Sequence, residues 1–466
     1  MFVFTMEDQR RFAALSGDSN PMHMDPVAAR RTQAGAPAAH GVHVMLRCLE
    51  KLAEDGVPLD RLARIGVKFG KFVYLDQPFS LAVNKADSES LRASVTSADG
   101  VVLLTLSLKF GARGVATALN VAPMAIPPAA IAPTLAEMAS MGASLTAPSD
   151  AAAFAAAFPH LSRAIGERRV AGLALTSTVV GMICPGLHSI YSSLDVDLIE
   201  DNGDDFWFRT TRVDDRFNLV AMDAGGAGIS CRIAAFERRP PVATDSMVAL
   251  SALVAPDEFA GMTALVLGGS RGLGAATAKL ITAGGGRAII TYARGKADAE
   301  SVAEEIRAAR GAGACEIAPF DFHKPVEPQL AALPDAITHL FYFCTPFIAR
   351  QKAPAFSHAL FDEFFHAYAD VFNEACLALR AKSTAGLRAF YPSTVYIDER
   401  PQGMLEYAMA KAAGEILCAE LTRNDPALKI IAPRLPRVAT DQTATVIPLS
   451  SEGAAATMLA HIRAIA

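Results

Sequence analysis

Apolar positions at helical spacing in residues 7–15 predict a short amphipathic helix, and the polar, turn-forming run Ser-Gly-Asp-Ser-Asn-Pro-Met-His-Met-Asp that follows stops it. A second helical stretch runs from about residue 41 to 53, after Ala39-His40-Gly41. Alternating segments at 64–85 and 90–110 then read as strands, with turns at Asp87-Ser88 and Asp99-Gly100. Beyond Phe110 the composition turns to Ala and Pro, as in a linker. An apolar helix over 170–182, a Pro185-Gly186 turn and strands, among them 205–213 and 228–236, repeat the earlier order. From Met262 the pattern changes to buried strand, glycine-rich turn, helix and second buried strand. The expected division is 1–112, linker 113–130, 131–240, linker 241–258 and 259–466. The first parts are α+β, and the last is an α/β doubly wound parallel sheet.

Two uncharged stretches raise the question of a membrane span. Residues 114–135 contain Pro123, Pro127, Pro128 and Pro133, and residues 170–194 are broken by Cys184-Pro185-Gly186. Neither suits a spanning helix of about 20 residues, so a soluble chain without a membrane span is expected. The N-terminus lacks the charged and apolar regions of a signal peptide. A net charge of −5 without a basic run gives a nucleic-acid partner no electrostatic support. Seven cysteines without a Cys-x-x-Cys pair argue against a zinc site or disulfide framework and fit a reducing cytoplasm.

The loop at 16–25 sets Asp18 and His23 five residues apart beside Asn20-Pro21. From such a rigid loop they can share one water or one substrate proton, although Asp and Asn also suit an ordinary capped turn. The segment resembles the signature of MaoC-like (R)-specific enoyl-CoA hydratases, which have the hot-dog fold. The resemblance covers roughly residues 1–111 and implies that Asp18 and His23 are the catalytic dyad. It also implies that the helix starting at Gly41 is the family's central helix. Free amides and a positive dipole end at a helix start make the Gly41 N–H a candidate donor to a thioester carbonyl. Residues 131–240 are then expected to be a second, non-catalytic half of a double hot dog, closing an open sheet edge. Its obvious polar candidates are His188 and Tyr191, which packing also explains.

In the C-terminal part Gly268, Gly272 and Gly274 show G-x-x-x-G-x-G spacing between a strand and a helix, with Ser270, Arg271 and Leu273 completing the turn. Such a turn brings backbone close to a pyrophosphate. The second strand ends in Tyr292-Ala293-Arg294 where an NAD site places an acid. Arg271 and Arg294 suit a 2′-phosphate, so NADP(H) is the expected cofactor. Asp321 falls where a residue contacting adenine would follow a third strand. Tyr407 and Lys411, four apart, share a helix face, and a Lys ammonium beside a phenol lowers the phenol's pKa. Ser393 and Thr394 lie upstream. Residues 259–466 resemble a short-chain dehydrogenase/reductase. That resemblance implies that Tyr407, Lys411 and a hydroxyl from Thr394 or Ser393 are catalytic, with Thr440 near the nicotinamide. The sequence departs from the family at Phe343-Cys344-Thr345-Pro346, at the position of a catalytic Asn (Tyr368, or Asn373 with a slipped register) and at Pro436-Arg437.

Together the resemblances imply an NADPH-dependent 3-ketoacyl-thioester reductase joined to an (R)-3-hydroxyacyl-thioester dehydratase or enoyl hydratase of fatty acid metabolism. The carrier is CoA or acyl carrier protein, and a homodimer through the reductase part is expected. The alternatives are a hydratase with a degenerate reductase partner, and a non-catalytic sensor of acyl thioester or cofactor.

Overall fold

Thr5 opens the first helix, Met6–Ser16, with a capping box in which its side chain and that of Asp8 satisfy each other's backbone N–H. The computed structural model describes residues 1–115, 119, 121–146, 150–200, 205–238, 240, 243–348, 356–438 and 453–466. These divide into two units, residues 1–240 and the described residues from 243 onward.

The strands of the first unit are β1 (Leu62–Phe69), β2 (Phe79–Ala86), β3 (Ser90–Ser97), β4 (Val102–Phe110), β5 (Gly114–Val115), β6 (Gly142–Thr146), β7 (Ser189–Glu200), β8 (Asp205–Asp214), β9 (Leu219–Gly226) and β10 (Ile229–Glu237). They form one sheet in the order β2-β3-β4-β1-β7-β10-β9-β8-β6, antiparallel throughout, with β5 parallel to β7. The join is β1 with β7, where Val67 faces Leu194. The free edge of the first four strands is thereby paired with the later ones. Two long helices, Gly41–Glu54 and Glu167–Thr178, bury their apolar sides in one shared core. Leu46, at the centre of the first, is fully buried; truncating such a leucine to Ala costs about 2–5 kcal/mol.

Several details differ from the sequence reading. The helix expected over 170–182 begins at Glu167 and passes into a π-helical turn, Val179–Ile183. β6 and β9 are additional strands. The Ala/Pro-rich stretch is tied to the sheet, through β5 and through a bridge from Pro123 to Ser144. Among the described residues no helix is long and apolar enough to cross a membrane.

The second unit has β11 (Thr263–Leu267), β12 (Arg287–Tyr292), β13 (Cys315–Pro319), β14 (His339–Tyr342), β15 (Leu387–Phe390), β16 (Ser393–Thr394), β17 (Leu428–Ile431) and β18 (Arg434–Leu435). Six of them form a parallel sheet in the order β13-β12-β11-β14-β15-β17, and β16 pairs with β18. Ala264 and Val266 of β11 enter one core and Leu265 and Leu267 another. The strand is thus buried on both faces, as a parallel sheet requires. The stretch expected as a linker carries a helix, Met247–Ser251, whose Met247 and Leu250 belong to this unit's core.

Candidate active sites

In the first unit Gly17 (φ 83°) ends the Met6–Ser16 helix and turns the chain into the polar loop. The Ser16 hydroxyl donates to the Phe12 carbonyl (2.8 Å) and accepts the Asp18 N–H (3.1 Å). Asn20 accepts the Met22 N–H (3.0 Å) and donates to the carbonyls of Gly181 (2.7 Å) and Gly186 (3.2 Å). Asn20 thus fastens the loop to the π-helical turn and to the Pro185-Gly186 turn of the later strands' half.

Asp18 is 1% exposed. Its Oδ1 accepts the Asn20 N–H (3.2 Å), and its Oδ2 accepts the Ser177 hydroxyl at 2.6 Å. The carboxyl lies against Gly181, where a Cβ would stand 2.4 and 2.5 Å from its two oxygens. A side chain there cannot coexist with Asp18 in this position. His23 donates Nδ1–H to the Ala38 carbonyl (2.7 Å), which leaves Nε2 with its lone pair. His40 donates Nε2–H to the Asp18 carbonyl (3.0 Å), and Gln9 Oε1 accepts the His40 N–H (3.0 Å). The His23 and His40 rings are 4.0 Å apart. Burial pushes the Asp18 carboxyl up and the His23 imidazole down, while their attraction to each other opposes both shifts. Each group is thereby moved toward its neutral form and toward the other.

One atom each from Asp18, His23 and His40 lies within 4.8 Å of the others. His40 Nε2 stands 3.9 Å from Asp18 Oδ2, and a water or hydroxyl held between two such groups at about 2.8 Å from each fits within this span.

Gly41 begins the central helix, and His40 before it makes no side-chain cap, so the first-turn N–H groups point outward from the helix end. Phe69 packs against Gly41, where a Cβ would meet its ring at 2.8 Å, and Tyr191 packs on Phe69 with ring centroids 4.7 Å apart. Tyr191 thus reaches the helix start through Phe69, whereas His188 sits with Arg238, whose N–H its carbonyl accepts (2.7 Å). The sequence reading missed Ser177 and Gly181. Its available signal was three consecutive hydroxyl residues, Thr176-Ser177-Thr178, and a glycine within an otherwise apolar helix.

In the second unit the glycine turn follows β11 directly. A Cβ on Gly274 would stand 2.3 Å from the Gly268 carbonyl oxygen, so helix and turn approach as closely as glycine allows. The Gly268 N–H donates to Thr291 Oγ1 (3.0 Å). The helix Gly272–Ala283 starts with Arg271 at its N-cap and no side-chain cap. Ser270 and Leu273 flank this start. Arg294 is exposed two residues beyond β12, and Asp321 follows β13 with its Oδ1 accepting the His323 N–H (3.1 Å). The residues around the turn therefore fit a dinucleotide: a bare helix start, a glycine cradle that a Cβ would fill, Arg271 at the N-cap and Arg294 just beyond β12. Thr440 lies outside the described residues.

At the far ends of β14 and β15 the structure separates the two hydroxyl candidates. Ser393 donates to Glu415 (2.5 Å), which Arg434 also holds, whereas the Thr394 hydroxyl accepts the Tyr396 N–H (3.2 Å) and lies near enough to Tyr407 to pull its phenol down. Burial pushes the Tyr407 phenol up to about 12. Lys411 is itself brought down to about 7 by burial. Lys411 donates to the Pro392 carbonyl (2.7 Å). Of the two candidates for that helix position, Tyr368 packs its ring against Tyr407. It stands in a π-helical turn, His366–Asp370, with its hydroxyl 2.5 Å from that of Thr345.

Residues 3–105 match the family described as MaoC like domain. No curated protein matches the chain. Among solved structures, a short chain dehydrogenase from Burkholderia cenocepacia in complex with NADP is 25% identical, with a TM-score of 0.37, over 40% of this chain and 78% of its own. FolM alternative dihydrofolate reductase 1 from Brucella suis, in complex with NADP, is 18% identical, with a TM-score of 0.33, over 37% and 70%. The angucycline C-6 ketoreductase LanV with bound NADP is 22% identical, with a TM-score of 0.35, over 40% and 76%. The doubly wound class rests on the strand order itself, which reverses between β11 and β14, the kind of switch point at which open α/β sheets bind ligands. The segment that matches this family, residues 3–105, contains the Asp18 loop and the start of the Gly41 helix.

Proposed function

We propose that the chain is a bifunctional enzyme, an NADPH-dependent 3-ketoacyl-thioester reductase and an (R)-3-hydroxyacyl-thioester dehydratase, on a double hot dog followed by a short-chain reductase fold. The observation that carries the proposal is the buried Asp18–His23 pair beside the bare start of the Gly41 helix, inside the MaoC-like domain. In dehydration the pair divides removal of the C2 proton and protonation of the departing C3 hydroxyl, so that water leaves as the double bond forms. The Gly41 N–H steadies the thioester oxygen as it gains charge. The second half of the unit contributes Ser177 and Gly181, which set the position of the Asp18 carboxyl.

In the other unit NADPH, when bound, supplies the hydride for C3. The glycine turn and the Gly272 helix start hold its pyrophosphate, while Arg271 and Arg294 suit its 2′-phosphate. Thr394 orients the ketone and Tyr407 gives its phenolic proton to the forming alkoxide. Lys411 supports Tyr407 from one helical turn away. Reduction makes the 3-hydroxyacyl group on which the Asp18 loop acts, and joining the two units raises the local concentration of that intermediate.

A second reading, a dehydratase with an inactive reductase partner, draws on Tyr368 at the Asn position and on the raised Tyr407 phenol. Two assays separate the readings: NADPH oxidation with an acetoacetyl thioester, and hydration of a crotonyl thioester. The bifunctional reading expects both from the wild-type chain. Tyr407→Phe should lose the first and Asp18→Asn the second. Hydration without any NADPH oxidation would leave the second reading standing, and neither activity would favour a non-catalytic sensor.

A further inference from the structure

The surroundings of Lys411 contain a feature that the reductase chemistry above does not use. Its Nζ lies 3.8 Å from the centroid of the Tyr368 ring and 4.7 Å from that of Tyr391, with the Pro392 carbonyl as its hydrogen-bond acceptor. Among the described residues no carboxylate forms an ion pair with it. Tyr368 is held on several sides: its hydroxyl meets Thr345, its ring packs edge-on with Tyr407 (5.7 Å, 76°) and stacks on Phe364 (5.9 Å, 6°). The π-helical turn places one extra residue in this stretch of helix, and the ring that results lies under the ammonium.

We propose that Tyr368 is a positioning residue for Lys411: its ring face holds the ammonium in a buried site where no charged side chain does so. The importance of this for turnover rests on the Tyr407–Lys411 reading given above. The titratable groups around Nζ are Tyr368, Tyr391, Tyr407 and Cys418, and burial raises all four, so that none is ionised at neutral pH; Glu415, one turn further along the helix, is ionised and paired with Arg434. The groups in direct contact with the ammonium are two aromatic faces and one carbonyl. A desolvated cation over an aromatic face gains enough to shift a protonation equilibrium about tenfold to thirtyfold. Burial works against it and has brought the amine down to about 7. Without the ring the amine would be neutral over more of the physiological range, and Tyr407 would lose its supporting charge.

The test follows Lys411 directly and needs neither cofactor nor turnover. The full chain is labelled with 13C at the lysine Cε, Lys411→Arg assigns the resonance, and its shift is followed against pH. Tyr368→Phe keeps the ring and loses the hydroxyl, and it should titrate within about 0.3 pH units of wild type. Tyr368→Leu and Tyr368→Met lose the ring, and each should titrate about one unit lower. The two ring-free variants guard against misfolding of either, and a thermal melt of each checks this. An unmoved midpoint in both overturns the proposal. So does an equal shift in Tyr368→Phe, which would assign the effect to the Thr345 contact. A ring effect on Lys411 in a chain that oxidises no NADPH would count against the reductase reading alone.

Discussion

Replacing Ser177 with Ala removes one hydroxyl that lies 159 residues from Asp18 in sequence and 2.6 Å from its Oδ2 in space. Asp18 is fully enclosed, so no solvent molecule is at hand to take over the bond, and Oδ1 keeps its longer bond from the Asn20 N–H. A hydrogen bond to a charged group contributes about 1.5–3 kcal/mol, which corresponds to a tenfold to hundredfold change in the carboxylate fraction at a given pH. The Asp18 carboxyl is already raised by burial, and Ser177 is one of the contacts that hold it down. Its loss therefore raises the carboxyl further. Measured as kcat/KM for crotonyl-thioester hydration from pH 5 to 9, Ser177→Ala should fall about tenfold to a hundredfold on the acid side. The loss should shrink as pH rises and Asp18 ionises again. NADPH oxidation by the same variant should not change. An unaltered pH profile would refute the claim that the later half sets the state of the catalytic carboxyl. A uniform loss at every pH would show that Ser177 acts through geometry instead.

Gly181→Ala puts a methyl group where the Asp18 carboxyl now sits, and hydration should fall at least a hundredfold with reduction intact; wild-type hydration would contradict the packing. Thr394→Val should lower acetoacetyl-thioester reduction about a hundredfold while Ser393→Ala stays within a few-fold, because Ser393 is engaged by Glu415; the reverse ranking would exchange their roles. The Asp18 carboxyl lies above its unfolded value of 3.8, so the stability it contributes when protonated is lost as pH rises through the folded value. Asp18→Asn should therefore melt higher than wild type at pH 8 and equal to it near pH 4, with hydration lost throughout. A variant that melts lower at pH 8 would mean that the ionised carboxyl is well compensated.

The parts of the molecule legible in the sequence are those where chemistry and chain are local. Asp18, Asn20 and His23 share one loop, Gly41 opens the next long helix, and Gly268 to Gly274 lie in a single turn between a strand and a helix. Spacing alone carries such features. Ser177 and Gly181 were not legible because their roles arise across the sheet, where the half containing them meets the Asp18 loop. In sequence they are small residues in an apolar helix. β9 escaped for a related reason: its Gly225-Gly226 end resembles a turn, although Val220, Met222 and Ala224 alternate into the core. The choice between Ser393 and Thr394 needed the position of Glu415, and the behaviour of Tyr407 needed its burial. A Tyr-x-x-x-Lys spacing reports a shared helix face and says nothing of the solvent that has been removed.

The most direct measurement is a single-tube conversion followed by mass spectrometry: purified full-length chain, NADPH and a short 3-ketoacyl thioester. The account predicts oxidation of NADPH and appearance of both the 3-hydroxyacyl and the 2-enoyl thioester. Asp18→Asn should stop at the 3-hydroxyacyl product, and Tyr407→Phe should leave the ketone unreduced while still hydrating added enoyl thioester. Enoyl product from Asp18→Asn at the wild-type rate, or unchanged reduction by Tyr407→Phe, would contradict it.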